Sequence, residues 1–398
     1  MELIGSVKTS EWGKIGNDSE VCRIAQLNYE NFQVNASTPY AEFWMGDHEN
    51  GPSLIKSSKE TLSSFLDKSS KNLIGGHQKL SFLLKILSVS KALSIQVHPN
   101  KEEAKRLHEE RPDIYKDPNH KPELAIALTP FIALCGFRPY NEIQGFLDKI
   151  LPLSNLIGNQ NVQKLNEGES GLKACYTQLM TASSDKISEC IEAISKNYNE
   201  TLAEYKLYKI FNKMNREFPK DVGILSLFFL NVIRLKPGES IFLPANLPHA
   251  YLEGDCIECM SCSDNVIRAG LTPKFKDVPT LLGMLNYKGE PAEEKLFKPD
   301  QRDEHVQIFA PKIEDFAVVK FHFTSDIKEY KWKNIEYGSI LLVLEGERIL
   351  RTETLGDIKL YRGSVIFIPG NCGNFINFVK SDNYQGNFTS YLASYNNF

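Results

Sequence analysis

Hydrophobic and polar residues alternate with two different periods along this chain. Residues 1–138 and 223–398 contain short apolar runs bounded by turn residues, which is typical of β-strands. Between residues 140 and 222 the apolar residues recur at i, i+3, i+4 and i+7, which predicts amphipathic helices. Three such helices are predicted, with the apolar positions Ile143, Phe146, Leu147 and Ile150, then Ile187, Cys190, Ile191 and Ile194, then Leu207, Ile210, Phe211 and Met214. We also expect Thr201 and Glu204 to form a capping box that opens the third helix.

A unit of turn, strand and proline occurs twice in the β-rich parts. It runs from Gly238 to Pro244 and again from Gly363 to Pro369. Such a repeat suggests two related β-sandwich or jelly-roll domains. We therefore expect a mainly β fold with a helical insertion. The expected divisions are residues 1–138 with 223–304, an α-helical domain of residues 139–222, and a C-terminal β-domain of residues 305–398 that carries no metal residues.

Three polar side chains lie in a row at the end of an apolar strand. Ser94, Gln96 and His98 project to one side because side chains alternate along a strand, while their neighbours are apolar. Buried polar groups need partners. The row is either a hydrogen-bonded cluster inside a sandwich or part of a metal site, in which His98 supplies a nitrogen and Gln96 an oxygen.

Two further strand ends carry metal-binding side chains. Lys121 and Glu123 flank a proline before an apolar run and should face the same way, so Glu123 is either a solvated edge residue or a ligand. His249 follows a strand-ending proline turn, which in a jelly roll lies at the barrel mouth. Together with His98 and Gln96 these residues offer only nitrogen and oxygen donors, a set that suits Zn²⁺, Fe²⁺ or Mn²⁺.

Other polar residues are expected around the same cavity. Tyr251 lies two residues beyond His249 on the same strand face, and Glu42 stands in an aromatic neighbourhood. The charged residues in and around the strands that line this cavity are Glu258, Asp264, Arg268 and Lys274.

The net charge, the apolar runs and the cysteine count of the chain argue against several classes of function. The chain has 398 residues and a net charge of −4, which argues against a broad nucleic-acid-binding surface. It has no apolar run long enough to cross a membrane and no signal peptide at its start, so we expect a cytoplasmic protein that binds neither membranes nor nucleic acid. Eight cysteines are no disulfide framework. Cys256 and Cys259 should face opposite ways, which argues against a thiolate metal site.

Several segments together resemble the signature sequences of the type I phosphomannose isomerase family. These are PYAEFWMGDHENGPS, SIQVHPNKEEA, HKPELAIALTPF, GFRP and FLPANLPHAYLEGDCIECMSCSDNVIRAGLTPKF, in the order found in that family. The resemblance implies a fold of two cupin β-domains. It also implies a zinc-dependent aldose–ketose isomerase that interconverts mannose 6-phosphate and fructose 6-phosphate through an enediol or enediolate and feeds GDP-mannose synthesis. Asp47 departs from the small neutral residue that the family usually has there.

The resemblance assigns roles residue by residue. It implies one Zn²⁺ per chain, bound by Gln96, His98, Glu123 and His249, and it makes Arg268 essential for catalysis. Lys121 and Glu258 are our candidates for proton transfer, with Tyr251 and His120 behind them. The substrate-binding residues that it implies are Trp12, Glu42, Ser94, Tyr251, Asp264 and Lys274. We expect a monomer whose partner is a small sugar phosphate.

Two other functional classes compete with this hypothesis. Two histidines and a carboxylate also suit a cupin-type Fe(II) oxygenase, although a fourth protein ligand at Gln96 and the cluster of Lys and Arg residues argue against it. A non-catalytic sugar-phosphate-binding or storage protein with two β-barrels would tolerate the loss of Arg268, Lys121 and Glu258. All three residues are present.

Overall fold

The computed structural model describes residues 1–398 and confirms a mainly β fold with a helical insertion. Short apolar runs in the first third form strands because they can be buried on one or both faces. The elements of this part are β1 (Leu3–Ile4), β2 (Ser6–Ile15), α1 (Glu20–Asn28), β3 (Pro39–Met45), β4 (Leu54–Ile55), α2 (Leu62–Lys68), β5 (Phe82–Val89), β6 (Ile95–Val97), α3 (Lys101–Glu110), β7 (Glu123–Ala127) and β8 (Phe131–Phe137).

A block of seven α-helices follows β8. Its members are α4 (Tyr140–Lys149), α5 (Leu151–Ile157), α6 (Asn159–Lys164), α7 (Glu169–Thr181), α8 (Ser184–Asn197), α9 (Asn199–Glu204) and α10 (Tyr208–Glu217). The three predicted helices correspond to α4, α8 and α10, whose periodic apolar residues are buried in one core. The predicted number is too low. Helices α5, α6 and α9 have only six or seven residues, too few for a period to show, and the thirteen-residue α7 was not predicted either.

The predicted capping box is also wrong. Thr201 lies inside α9, whose N-cap is Tyr198, and the helix that it was expected to open begins at Tyr208. A Ser/Thr-x-x-Glu pattern is a local signal, and here a short extra helix uses the same residues.

The chain then returns to the first sheet. The returning elements are α11 (Gly223–Ser226), β9 (Leu230–Leu235), β10 (Ser240–Leu243), β11 (His249–Ser261), β12 (Ile267–Gly270), α12 (Val278–Met284) and β13 (Leu296–Phe297). The long strand β11 pairs with β5, β6, β7 and β8, all of them antiparallel. Strands from both sides of the helical block therefore form one eleven-stranded sheet around a common interior.

The C-terminal part is a second β-structure made of a six-stranded and a four-stranded sheet. Its strands are β14 (Asp300–Gln301), β15 (Val306–Phe309), β16 (Ala317–Phe323), β17 (Glu329–Lys333), β18 (Ser339–Glu345), β19 (Glu347–Thr352), β20 (Gly356–Tyr361), β21 (Val365–Ile368), β22 (Phe375–Lys380) and β23 (Phe388–Ser394). The second unit of turn, strand and proline, from Gly363 to Pro369, contains β21, as the repeat predicts. No helix is long and apolar enough to span a membrane.

Alternation within three neighbouring strands separates two cores. In β5, Leu84 and Ile86 face a core shared with the C-terminal part, whereas Leu87 faces the interior of the first sheet. In β11, Cys259 faces the shared core and Cys256 faces the interior. The two cysteines therefore point in opposite directions, as the sequence predicts. One face of these strands therefore carries structural apolar residues, and the other is free to carry functional side chains.

Candidate functional site

A cavity of about 510 Å³ opens into the interior of the first sheet. Strands β2, β3, β5, β6, β7, β11 and β12 all contribute side chains to its wall. The helical block contributes Phe218, just beyond α10. Of the thirteen candidate residues in our sequence analysis, all but His98 and Asp264 line this cavity.

A buried cluster of His98, Glu123 and His249 lies beside the cavity, and its potential ligand atoms are all within 4.8 Å of one another. Glu123 Oε1 is 3.4 Å from His98 Nε2, and Glu123 Oε2 is 3.4 Å from His249 Nε2. The strands β6, β7 and β11 supply these residues or end beside them. Two imidazoles and a carboxylate that converge in this way form a ligand set for a divalent cation.

The second nitrogen of each histidine is held by a backbone carbonyl. His98 Nδ1 is 2.7 Å from Asn265 O, and His249 Nδ1 is 2.9 Å from Leu247 O. Both contacts require a protonated Nδ1, so each Nε2 presents a lone pair to the cluster. His98 Nε2 is buried without a hydrogen-bond partner, and burial lowers the pKa of His98 to about 4. The residues therefore fit a metal ion.

Gln96 and Ser94 extend the cluster into the cavity. Gln96 pairs across the ladder with His249 on one side and Arg268 on the other. Its Nε2 donates a hydrogen bond to Ser94 Oγ at 3.1 Å, which leaves the amide oxygen Oε1 as the donor atom available to a metal.

Lys121 lines the cavity and forms an ion pair with Glu123 of the cluster. Its Nζ is 3.3 Å from Glu123 Oε1. Burial opposes ionisation of Glu123, but Lys121 and the two histidines hold its pKa well below the ordinary value. Glu123 is therefore a carboxylate at neutral pH, as a metal ligand must be.

A second group of buried charges lies on the neighbouring strands. Lys85 Nζ is 3.1 Å from Glu258 Oε2 and 3.4 Å from Glu42 Oε2. Tyr251 donates a hydrogen bond of 2.9 Å to Glu258 Oε1, and Trp44 Nε1 donates one of 2.7 Å to Glu42 Oε2. Lys85 is not among the predicted site residues, although a single lysine in the eight-residue buried strand β5 is a signal that points to it.

The two members of this ion pair are perturbed in the same direction. Burial raises the pKa of Glu258, and the ammonium group of Lys85 only partly offsets this. Burial would lower the pKa of Lys85, but the carboxylates of Glu258 and Glu42 raise it above the ordinary value. Lys85 thus stays charged, while the carboxyl group of Glu258 takes up a proton more readily than an ordinary glutamate.

A β-bulge brings His249, Tyr251 and Glu258 to one face. His249 and Glu258 are nine residues apart, so a regular strand would direct them to opposite faces. The register of β11 against β8 shifts between Tyr251 and Glu253, and this extra residue restores a common orientation. The bulge could not be foreseen from the sequence pattern.

Cationic groups line the outer part of the cavity. Arg268 is half-buried, and burial lowers the pKa of its guanidinium group without another group opposing it. Lys91 and Lys274 line the same cavity, in addition to Lys85 and Lys121. A cavity that combines a cluster suited to a metal ion, a buried carboxyl group of raised pKa and several cationic groups can polarise, deprotonate and anchor a small anionic substrate.

Two residues considered in the sequence analysis lie elsewhere. Asp264 is exposed, and its Oδ2 accepts a hydrogen bond of 3.2 Å from Asn50 Nδ2. His120 Nε2 is 2.9 Å from Asp315 Oδ1, so it contacts the C-terminal part rather than the cavity. Trp12 lines the cavity, and its carbonyl oxygen accepts the amides of Ser90 and Lys91.

Comparison with known proteins identifies similar chains. The family model for the catalytic domain of type I phosphomannose isomerase matches residues 1–140, and the model for the helical insertion domain of that family matches residues 153–230. Mannose-6-phosphate isomerases of Mus musculus and Homo sapiens are each 41% identical over 391 residues, covering 92% of both chains. A crystal structure of mannose 6-phosphate isomerase bound with zinc and yttrium has a TM-score of 0.85 and 29% identity, covering 100% of this chain and 99% of the other.

Proposed function

The chain belongs to the type I phosphomannose isomerase family, and from this premise we propose that it interconverts mannose 6-phosphate and fructose 6-phosphate in a zinc-dependent reaction. Gln96, His98, Glu123 and His249 would hold one Zn²⁺ per chain. The observation that carries the proposal is the juxtaposition of this cluster with the ion pair of Lys85 and Glu258 in one cavity.

The isomerisation moves a proton between carbons 1 and 2 of the open-chain sugar. Glu258 would take and return this proton, because a carboxyl group whose pKa is raised by burial is a stronger base than an ordinary glutamate. Lys121, beside Glu123, would exchange protons with the sugar oxygens. An enediol or enediolate is the expected intermediate, and its developing negative charge requires nearby cationic groups.

The remaining residues would orient and anchor the substrate. Arg268 offers a planar set of donors to the enediolate or the phosphate, while Lys274 and Ser94 are further candidates for phosphate contacts. When bound, Zn²⁺ would supply Lewis-acid polarisation of the sugar oxygens. The product would enter GDP-mannose synthesis, and we propose that the chain acts as a monomer.

Replacement of Arg268 tests the catalytic assignment. We expect Arg268→Ala to keep its fold and metal content but to lose activity by about 10²–10⁴-fold in a coupled isomerase assay. Arg268→Lys is the matched control, because it retains the charge without the planar fork and should recover part of the loss. Normal turnover of mannose 6-phosphate by Arg268→Ala would contradict this assignment.

Replacement of His249 tests the metal assignment. His249→Ala should lose both zinc after dialysis and isomerase activity, because one of four ligands is removed. His108→Ala is a suitable control, since His108 also contacts a backbone carbonyl, Tyr115 O at 2.7 Å, but lies on α3 outside the cluster. Unchanged zinc content in His249→Ala would rule out the ligand set. Oxygen uptake in the presence of Fe²⁺ would instead favour an oxygenase.

A further inference from the structure

We propose that Asp221, on the segment by which the helical block returns to the sheet, is a positioning residue for the substrate-binding loop Leu271–Lys274. This inference rests on the proposed isomerase function. Asp221 is not in the cavity wall and has no place in the mechanism above. It acts through the backbone of a loop that carries cavity residues.

The Asp221 carboxylate accepts three backbone hydrogen bonds. Oδ1 accepts the amides of Gly223 and Leu271, each at 2.7 Å, and Oδ2 accepts the amide of Thr272 at 3.2 Å. The first bond belongs to the return segment itself, and the other two cross to the loop. A carboxylate that accepts several backbone amides makes strong, charge-assisted hydrogen bonds.

The loop depends on this carboxylate because of its backbone conformation. Leu271 has a φ of 53°, in the left-handed region that a leucine rarely adopts. Such a conformation persists only where the surroundings fix it. The Leu271 side chain is fully buried, so burial fixes the side chain and Asp221 fixes the amide.

Close packing brings the two segments together. A Cβ atom on Gly270 would lie 2.6 Å from Gly223 Cα, and one on Gly223 would lie 2.6 Å from Leu271 N. Both sites require glycine because backbone approaches backbone with no space for a methyl group. This contact places Asp221 within hydrogen-bonding distance of the loop.

A second hydrogen bond carries the constraint from Thr272 to Lys274. Thr272 Oγ1 accepts the amide of Lys274 at 3.1 Å. Asp221 thus fixes Thr272, and Thr272 fixes the backbone of Lys274. Thr272, Pro273 and Lys274 all lie in the cavity wall.

The effect should fall on substrate binding more than on chemistry. Arg268 lies in β12 and pairs with Gln96 of β6, so the strand ladder holds it independently of Asp221. The loop beyond Gly270 has no strand partner and relies on the carboxylate. Loss of Asp221 should therefore displace Lys274 and leave Arg268 in place.

Steady-state kinetics of Asp221→Asn test the proposal. The amide group retains the shape but turns one acceptor into a donor that faces backbone N–H groups. We expect the KM for mannose 6-phosphate to rise roughly tenfold, while kcat changes less than about threefold. Hydrogen exchange of the backbone amides of Leu271, Thr272 and Lys274 should accelerate in the ligand-free protein, and zinc content should stay the same.

Two further variants separate this role from general stability. Thr272→Val removes the acceptor for the Lys274 amide and should raise KM in the same direction even if Asp221→Asn fails to fold. Asp47→Asn is the matched control, because Asp47 is buried, accepts the Leu80 amide at 3.0 Å and lies outside the cavity wall. It should destabilise the fold without changing KM.

The possible outcomes are distinct. A raised KM with near-normal kcat in Asp221→Asn or Thr272→Val supports the proposal. An unchanged KM in Thr272→Val overturns it when Asp221→Asn also has an unchanged KM or fails to fold. If the unaltered protein does not convert mannose 6-phosphate with zinc supplied, the proposed function itself fails. This outcome is detected with the unaltered protein alone.

Discussion

At the scale of single residues, the two buried glutamates of the cavity have opposite electrostatic environments. Lys121 and two histidines hold the pKa of Glu123 well below its ordinary value despite burial, whereas burial raises the pKa of Glu258. Carboxyl groups whose pKa values diverge in this way can take different roles in one reaction. Glu123 suits metal binding, and Glu258 suits proton transfer.

The Tyr251 hydroxyl should tune the pKa of Glu258. It donates a hydrogen bond of 2.9 Å to Glu258 Oε1 and so stabilises the ionised form. In Tyr251→Phe that bond is lost, the pKa of Glu258 rises further, and less of the base is ionised at a given pH. A hydrogen bond to a charged group contributes about 1.5–3 kcal/mol, which corresponds to a shift of about one pH unit or more.

The measurement is the pH dependence of kcat/KM. The acid limb should move to higher pH in Tyr251→Phe, while activity at the alkaline end of the plateau stays close to that of the unaltered protein. Zinc content measured at each pH is the control, because metal loss also lowers activity in acid. An acid limb that does not move would show that Glu258 is not the titrating base.

Replacement of Lys85 tests the second ion pair. Lys85→Met leaves Glu258 and Glu42 buried without their cation, and we expect the free energy of unfolding at neutral pH to fall by about 3–5 kcal/mol. The deficit should shrink as pH falls, because the raised pKa of Glu258 lets it become neutral and removes the unpaired charge. Denaturant unfolding at neutral and acid pH measures this. A deficit that is independent of pH would contradict the argument.

Sequence reasoning predicted eleven residues of the cavity wall but not Lys85. The histidines, Glu123 and Arg268 stand in recognisable motifs near strand ends. Lys85 lies in the middle of an apolar strand, where its only signal is a charge in a buried run, and its partners Glu42 and Glu258 are 43 and 173 positions away. Such pairing depends on strand register, which a single sequence does not specify here.

At the scale of elements, helix α3 begins immediately after the metal-site strand. Its N-cap Asn100 accepts the amide of Glu103, and the Glu103 carboxylate accepts the amide of Asn100, so the capping box is complete. Here the local pattern Asn-x-x-Glu at residues 100–103 coincides with the true start of a helix. The Thr201 box failed because the same pattern can lie inside a helix, and only tertiary packing decides which pattern is used.

The Asn100 cap should stabilise the fold without taking part in the reaction. Asn100→Ala removes one acceptor at the start of α3, and we expect the free energy of unfolding to fall by about 1 kcal/mol. Isomerase activity below the unfolding transition should not change, because Asn100 does not line the cavity. Denaturant unfolding and the coupled assay measure the two quantities. A large loss of activity with normal stability would instead indicate that the cap orients His98.

At the scale of the whole molecule, the two β-parts share one apolar core. Leu84 and Ile86 of β5 belong to the same buried cluster as Phe316, Ile340 and Phe367 of the C-terminal part. The Asp315 contact with His120 adds a polar connection beside it. We propose the division into residues 1–138 with 223–304, 139–222 and 305–398 as a description of architecture. Strand β14, at the end of the first domain in this division, pairs with β15 of the C-terminal sheet. The shared core further implies that the two β-domains do not fold independently.

The three tryptophans allow this coupling to be tested. Trp12 and Trp44 belong to the first β-part and Trp332 to the second. The variant Trp332→Phe keeps only the tryptophans of the first part, and the double variant Trp12→Phe with Trp44→Phe keeps only that of the second. In both variants we expect the fluorescence transition to coincide with the loss of far-UV circular dichroism. Coincident probes are the signature of one cooperative transition.

Phe316→Ala then identifies the shared core as the cause of that cooperativity. Phe316 is fully buried in the cluster common to both parts, so the substitution should lower the free energy of unfolding by about 3–5 kcal/mol and shift both tryptophan signals together. Phe323→Ala is the companion variant, since Phe323 is equally buried but belongs to the core of the C-terminal part alone. In one cooperative transition it too should shift both signals, whereas in independent domains it would shift only the Trp332 signal. If Phe316→Ala shifted only the Trp332 signal, the two β-domains would be independent folding units.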